Sequence, residues 1–116
     1  SYGRMITFLR IFFLGILAVM LWVTTRASMD AAIWQLPAAL TGDLWFQATL
    51  ADAYCGFLTF FVWLAYKEPG WLARIAWLVA ILLLGNIAMA TYCLIQLFRV
   101  PASADLREVL LRKGMA

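Results

Sequence analysis

Histidine is absent from the 116-residue sequence, cysteine occurs twice, proline three times, and only 13% of the residues are charged. Without histidine there is no imidazole to ligate zinc or haem, and the commonest general base is missing. Two cysteines, Cys55 and Cys93, do not make the framework of a disulfide-stapled secreted domain. Scarce charge also excludes a disordered chain, which is rich in charge and poor in apolar residues. What is plentiful is apolar surface: 66% of the residues are hydrophobic and 16% aromatic, and the mean hydropathy is +0.92. An average soluble domain is about half apolar and about a quarter charged. A chain this short and this apolar cannot coat a soluble globule, so it reads as a single domain of an all-α integral membrane protein.

Three stretches have the length to cross a bilayer. Residues 5–25 make about 31 Å of helix at 1.5 Å per residue, against a hydrocarbon core of about 30 Å. Arg10 interrupts this stretch one turn in and is expected to snorkel to the headgroups. A cleaved signal peptide with Arg4 and Arg10 as its basic end is the alternative, disfavoured by the length of the run. The second and third spans are expected at 44–66 and 71–98. Between them Lys67-Glu68-Pro69-Gly70 reads as a tight reversal, with Lys67 and Glu68 a solvated pair. Helices 2 and 3 then form an antiparallel hairpin, with Trp63, Tyr66, Trp71 and Trp77 as an aromatic belt. The third span is long and should tilt, or carry Arg74 to the interface.

The connector 27–43 is apolar but too short to cross. Ser28 or Asp30 is expected to cap a short interfacial helix over 31–36, anchored by Trp34 and stopped by Pro37; a re-entrant segment is the alternative. After Pro101, Ser103 is expected to cap an amphipathic tail helix over 103–113. Leu106, Val109 and Leu110 form its apolar face, with Arg107, Arg112 and Lys113 around it, lying on the membrane surface; a frayed polar tail is the alternative. Basic residues divide four against five across three spans, which is no bias. The two arginines before the first span lean the N-terminus to the cytoplasm and the C-terminus outside. The net charge of +3 suits anionic lipid, and arginines scattered around apolar runs do not make a nucleic-acid face.

Asp52 stands out. A carboxylate about 12 Å into an apolar helix is costly and is by default a functional-site hypothesis. Counting from a turn centred between 68 and 69, equal depths sum to about 137 on a straight hairpin. Asp52 then meets Gly85 and Asn86, and a hydrogen bond to Asn86 would satisfy both side chains. Gln47, Thr49 and Tyr92 complete a polar pocket at that depth. Thr49, Asp52, Gly56, Thr59 and Trp63 share one small, polar face suited to helix contact, while Leu50, Phe57, Phe61 and Leu64 suit lipid. The Asp52–Asn86 pair is either structural glue that locks helix register or a site for a ligand, proton or ion. Cys55 and Cys93 fall at different depths and are expected as buried free thiols.

Several of these residues also carry a resemblance. The run Trp45-Phe46…Asp52-x-Tyr54, the turn Tyr66-Lys67-Glu68…Trp71 and the step Gly85-Asn86 resemble a family of plant and bacterial membrane proteins catalogued only as domain of unknown function 1475. The resemblance covers residues 43–99 and implies that the hairpin is the defining unit. It brings no activity, cofactor or catalytic residue.

With no nucleophile–base pair and no paired intramembrane carboxylates, an enzyme is the weakest reading. The expected function is that of a non-enzymatic assembly or accessory subunit. The alternative is an oligomeric transporter or a small-ligand- or lipid-binding protein using Asp52 and Asn86. No metal or cofactor is expected. Three helices bury little interior, so membrane lipids and a second copy or a larger membrane complex are the expected partners. Gly15, Ala18 and Trp22 are the close-approach face of the first helix.

Overall fold

The structure, a computed structural model, describes residues 2–30 and 35–112, with side chains from residue 4 onward. The described residues form six helices and no strand: α1 (Tyr2–Asp30), α2 (Ala38–Thr41), α3 (Leu44–Lys67), α4 (Trp71–Leu84), α5 (Asn86–Phe98) and α6 (Arg107–Leu110). Among them α1 and α3 are the two helices long and apolar enough to cross a membrane.

α1 runs past the expected end at residue 25, so Ser28 and Asp30 lie inside it rather than capping a following helix. Residues 31–34, with Trp34, lie outside the described residues. Pro37 does not stop a helix; it precedes α2, its carbonyl accepting the N–H groups of Leu40 and Thr41 at 3.0 and 3.1 Å. α3 opens on Asp43, whose carboxylate accepts the Trp45 N–H at 3.3 Å.

The main departure from expectation is at 71–98, which is not one helix. The chain turns at Gly85, with φ 57° and ψ −124°. Glycine reaches such a conformation without the strain a side chain brings. α5 then doubles back along α4. The rings of Trp77 and Tyr92 lie 5.0 Å apart, whereas a straight helix would separate them by about 22 Å. Ile81 and Ala88, before and after the turn, share one buried cluster with Leu64 and Tyr92. Each arm is only about 20 Å long, short of the roughly 30 Å core. Length and hydropathy alone count Gly85 as one more apolar position.

α3 and α4 run in opposite directions through the break at 68–70. The Tyr54 hydroxyl donates to the Leu82 carbonyl at 3.2 Å, and Phe57 packs over Gly85, its Cζ 2.8 Å from where a Cβ would stand. The tip of the α4–α5 hairpin therefore reaches the middle of α3. α5 returns beside α1: Ile6, Leu97 and Val109 form a second buried cluster. The start of α1, the end of α3, the end of α5 and the tail thus meet at one end of a 50 × 28 × 23 Å molecule. We call this the basal end. At the other end, residues 21–30 of α1 are exposed throughout, as is most of 44–56 on α3.

Two packing expectations are reversed. On α3, Leu64 is fully buried and Phe57 and Phe61 pack against the core, whereas Thr49, Asp52, Gly56 and Thr59 are exposed; Leu50, exposed, and Trp63, packed on the core, keep their expected places. The small partner that permits close approach is Gly85 on the facing hairpin, so the bulky face of α3 turns inward. In the tail, α6 has four residues rather than the eleven positions expected, and it packs on the chain itself, with Val109 buried against Ile6 and Leu97. Leu106 rather than Ser103 is at its N-cap position, with no side-chain cap, and Asp105 before it accepts the Arg107 N–H at 3.2 Å. Arg112 lies beyond α6, and Lys113 lies outside the described residues.

Candidate functional site

The residues of the expected polar pocket fall in separate places. Gln47 and Thr49 make local bonds, Nε2 to the Thr41 carbonyl at 3.1 Å and Oγ1 to the Trp45 carbonyl at 2.8 Å. Asp52 is exposed, as is Asn86 at the first position of α5, and no hydrogen bond joins them. Tyr92 is fully buried toward the basal end. Its hydroxyl donates to Glu68 Oε1 at 2.9 Å, and its ring meets Trp63 at 5.5 Å edge-on. The turn at Gly85 explains the difference. Matching depths by a constant sum requires a straight helix. Past Gly85 the chain retraces its path, which takes Tyr92 to Phe60 and Trp63 instead of Gln47.

The polar groups that do converge are basal, and most of them cap helix ends. Arg10 does not snorkel freely: its Nη2 donates to the carbonyls of Leu97 and Val100 at 3.1 and 2.7 Å. Its guanidinium also lies 4.6 Å over the Phe98 ring. A cation on the last carbonyls of α5 complements that helix's dipole. Lys67, the last residue of α3, is buried and donates to the Leu111 carbonyl at 2.9 Å. Trp63 Nε1 donates to the Leu110 carbonyl at 2.9 Å, and Arg112 Nε to the Tyr66 carbonyl at 2.8 Å. Arg74 Nε donates to the Glu68 carbonyl at 2.8 Å. The expected solvated Lys67–Glu68 pair is therefore split, one side chain engaging the tail and the other Tyr92. Composition shows that these cations exist; their targets are carbonyls contributed by distant segments, which no local spacing reveals.

Above this basal cluster lies a cavity of about 340 Å³. Leu9 and Phe13 of α1, Phe60 and Trp63 of α3, Cys93 and Leu97 of α5, and Leu106, Val109 and Leu110 of the tail line it, and it is partly open to the surroundings. Every wall residue is apolar apart from the Cys93 thiol and the Trp63 N–H, and the latter is used by Leu110. Both cysteines are free thiols, with Cys55 exposed rather than buried and Cys93 half-buried. Among the described residues no three His, Cys, Asp or Glu side chains gather as a metal site.

Compared with known proteins, the chain matches the family described as "Protein of unknown function (DUF1475)" over residues 10–114. No curated protein and no solved structure matches it.

Proposed function

We infer, for a chain that belongs to the DUF1475 family of unknown function, that it is a non-enzymatic integral membrane subunit. In this reading α1 and α3 span the bilayer, and α4–α5 is a re-entrant hairpin in place of the third span expected at 71–98. Non-helical backbone at membrane depth is tolerated where protein buries it, and Phe57 covers Gly85 in that way. The charge distribution supports the same arrangement. Of the described basic residues, Arg4, Arg10, Lys67, Arg74, Arg99, Arg107 and Arg112 belong to the basal end and Arg26 to the other. Excess Lys and Arg marks the cytoplasmic side. The basal end is then cytoplasmic, which keeps the start of α1 inside and moves the tail from outside to inside.

Asp52 carries the subunit reading. It lies about 12 Å into α3, is exposed, and has no hydrogen bond or ion pair among the described residues. A carboxylate facing lipid costs up to about 3 kcal/mol on insertion scales, the full value at the helix centre and less toward the ends, and Asp52 is a third of the way along α3. A polar group on a neighbouring polypeptide offsets that cost. Gly15 has no atom within 4 Å of its Cβ position, and Trp22 is exposed, so the small face of α1 is also available to a neighbour.

The test is native mass measurement from membrane nanodiscs. We expect an assembly larger than one chain, retained by Asp52→Asn and lost in Asp52→Lys, whose cation has no counterpart. A monomer, or an assembly indifferent to Asp52→Lys, sinks the reading.

A further inference from the structure

We propose that the cavity beneath the tail holds one acyl chain of an anionic phospholipid, with its headgroup against Arg10 and Arg112. The proposal rests on the membrane placement of the basal end and is independent of the subunit reading.

The cavity's chemistry restricts its occupant. Its walls are Leu, Phe, Val, Trp and a thiol, and the one strong donor among them, Trp63 Nε1, already bonds Leu110. A water molecule needs about two to four polar partners to settle in a cavity, and apolar cavities take apolar ligands instead. A peptide would bring backbone N–H and C=O groups that these walls cannot satisfy. At about 340 Å³ the space is at the lower end of small-molecule sites, which run from about 300 to 1,000 Å³. One hydrocarbon chain suits that size better than a ring system carrying polar groups.

Its position supplies the second argument. The cavity lies between the first turns of α1 and the last turns of α3 and α5, where a membrane-embedded basal end meets the headgroups. Two arginines are neighbours of its lining residues along the chain. Arg10 follows the wall residue Leu9 and bonds the carbonyl of the wall residue Leu97. Arg112 follows closely on Leu110 and is tied to Tyr66 through Nε. A guanidinium has five donors, and the bonds described use only part of each set. An apolar slot whose lining segments also carry guanidinium groups, one of them bonded to the carbonyl of the lining residue Leu97, complements an amphiphile with an anionic phosphate. The tail wall is fixed by Val109 in the core and by side-chain bonds from Trp63, Lys67 and Arg112 to carbonyls, and the cavity is partly open, so a chain can enter without displacing α6.

The experiment uses the full chain in phosphatidylcholine nanodiscs doped with phosphatidylglycerol whose acyl chain carries a diazirine, with adducts mapped by peptide mass spectrometry. We expect adducts concentrated on the peptides containing Cys93 and residues 106–110, several-fold above those from the same probe built on phosphatidylcholine. Cys93→Phe, which fills the cavity, should abolish them, while Cys55→Phe on the exposed face of α3 leaves them unchanged. Should Cys93→Phe fail to fold, Arg10→Gln with Arg112→Gln is the second variant, and it should bring phosphatidylglycerol labelling down to the phosphatidylcholine level. Adducts spread evenly over α1 and α3, or equal labelling by the two lipids, overturn the proposal. A chain without adducts anywhere overturns the membrane placement as well.

Discussion

Gly85 is the residue on which the architecture turns. Its φ of 57° lies in the left-handed region, and a Cβ there would press on the Phe57 ring at 2.8 Å. Gly85→Ala therefore meets both backbone strain, of about 1–3 kcal/mol, and a side-chain clash. The expected result is a clear fall in detergent melting temperature, partly regained when Phe57→Leu is added. Gly56→Ala, in the interior of α3 with nothing within 4 Å, should leave stability unchanged or raise it by up to about 1 kcal/mol. Equal effects at the two glycines would remove the special status of Gly85. Tyr92 offers a second check. Its hydroxyl is buried and donates to a carboxylate, a bond of the kind worth about 1.5–3 kcal/mol. Tyr92→Phe should lower unfolding free energy by about that amount in a denaturant titration, and an unchanged midpoint would show that Glu68 finds other partners.

At the scale of elements, the tail is the part held least firmly. α6 has four residues, far below the length at which a helix is stable in water. Its order depends on Val109 in the core and on Asp105 at its start. The Asp105 carboxyl accepts the Arg107 backbone N–H and then the guanidinium, which holds it below the usual carboxylate range. A carboxyl whose folded pKa is depressed contributes above its unfolded value, near 4, and the contribution fades as pH falls through the folded value. Amide exchange at residues 105–110, corrected for intrinsic rates, should accelerate on acidification below about pH 4. Asp105→Asn should show reduced protection already at neutral pH. Protection independent of both would mean that Val109 alone holds α6.

For the whole molecule the prediction is one of sides. With two spans and a hairpin that enters and leaves at the same end, α1's start and the tail after α6 share a compartment. Topology reporters placed ahead of α1 and after residue 112 should both register as cytoplasmic. A cytoplasmic reporter at the first site and an external one at the second would require 71–98 to cross, and would sink the re-entrant arrangement. The exposed apolar flanks of the far end, including Trp22 and Leu21, are consistent with lipid or a neighbouring chain as their environment.

Composition and hydropathy were sufficient for the all-helical class, for α1 and α3 as apolar helices of spanning length, and for a break at residues 68–70. Each depends on properties summed over a window or on a local turn signal. Family membership was legible too, from Trp45-Phe46, Asp52 and the turn at Lys67-Glu68. The course of 71–98 was not, because a glycine in an apolar run reads the same whether the helix continues or turns. Only its packing against Phe57 and the meeting of Trp77 with Tyr92 decide that. Everything downstream of the turn followed it. Tyr92 moved to Glu68, Arg10 found the carbonyls of α5, the bulky face of α3 turned inward, and Asp52 stayed exposed. These are contacts between segments up to 90 positions apart, and a contact at that range is a property of the folded arrangement and of no stretch of sequence within it.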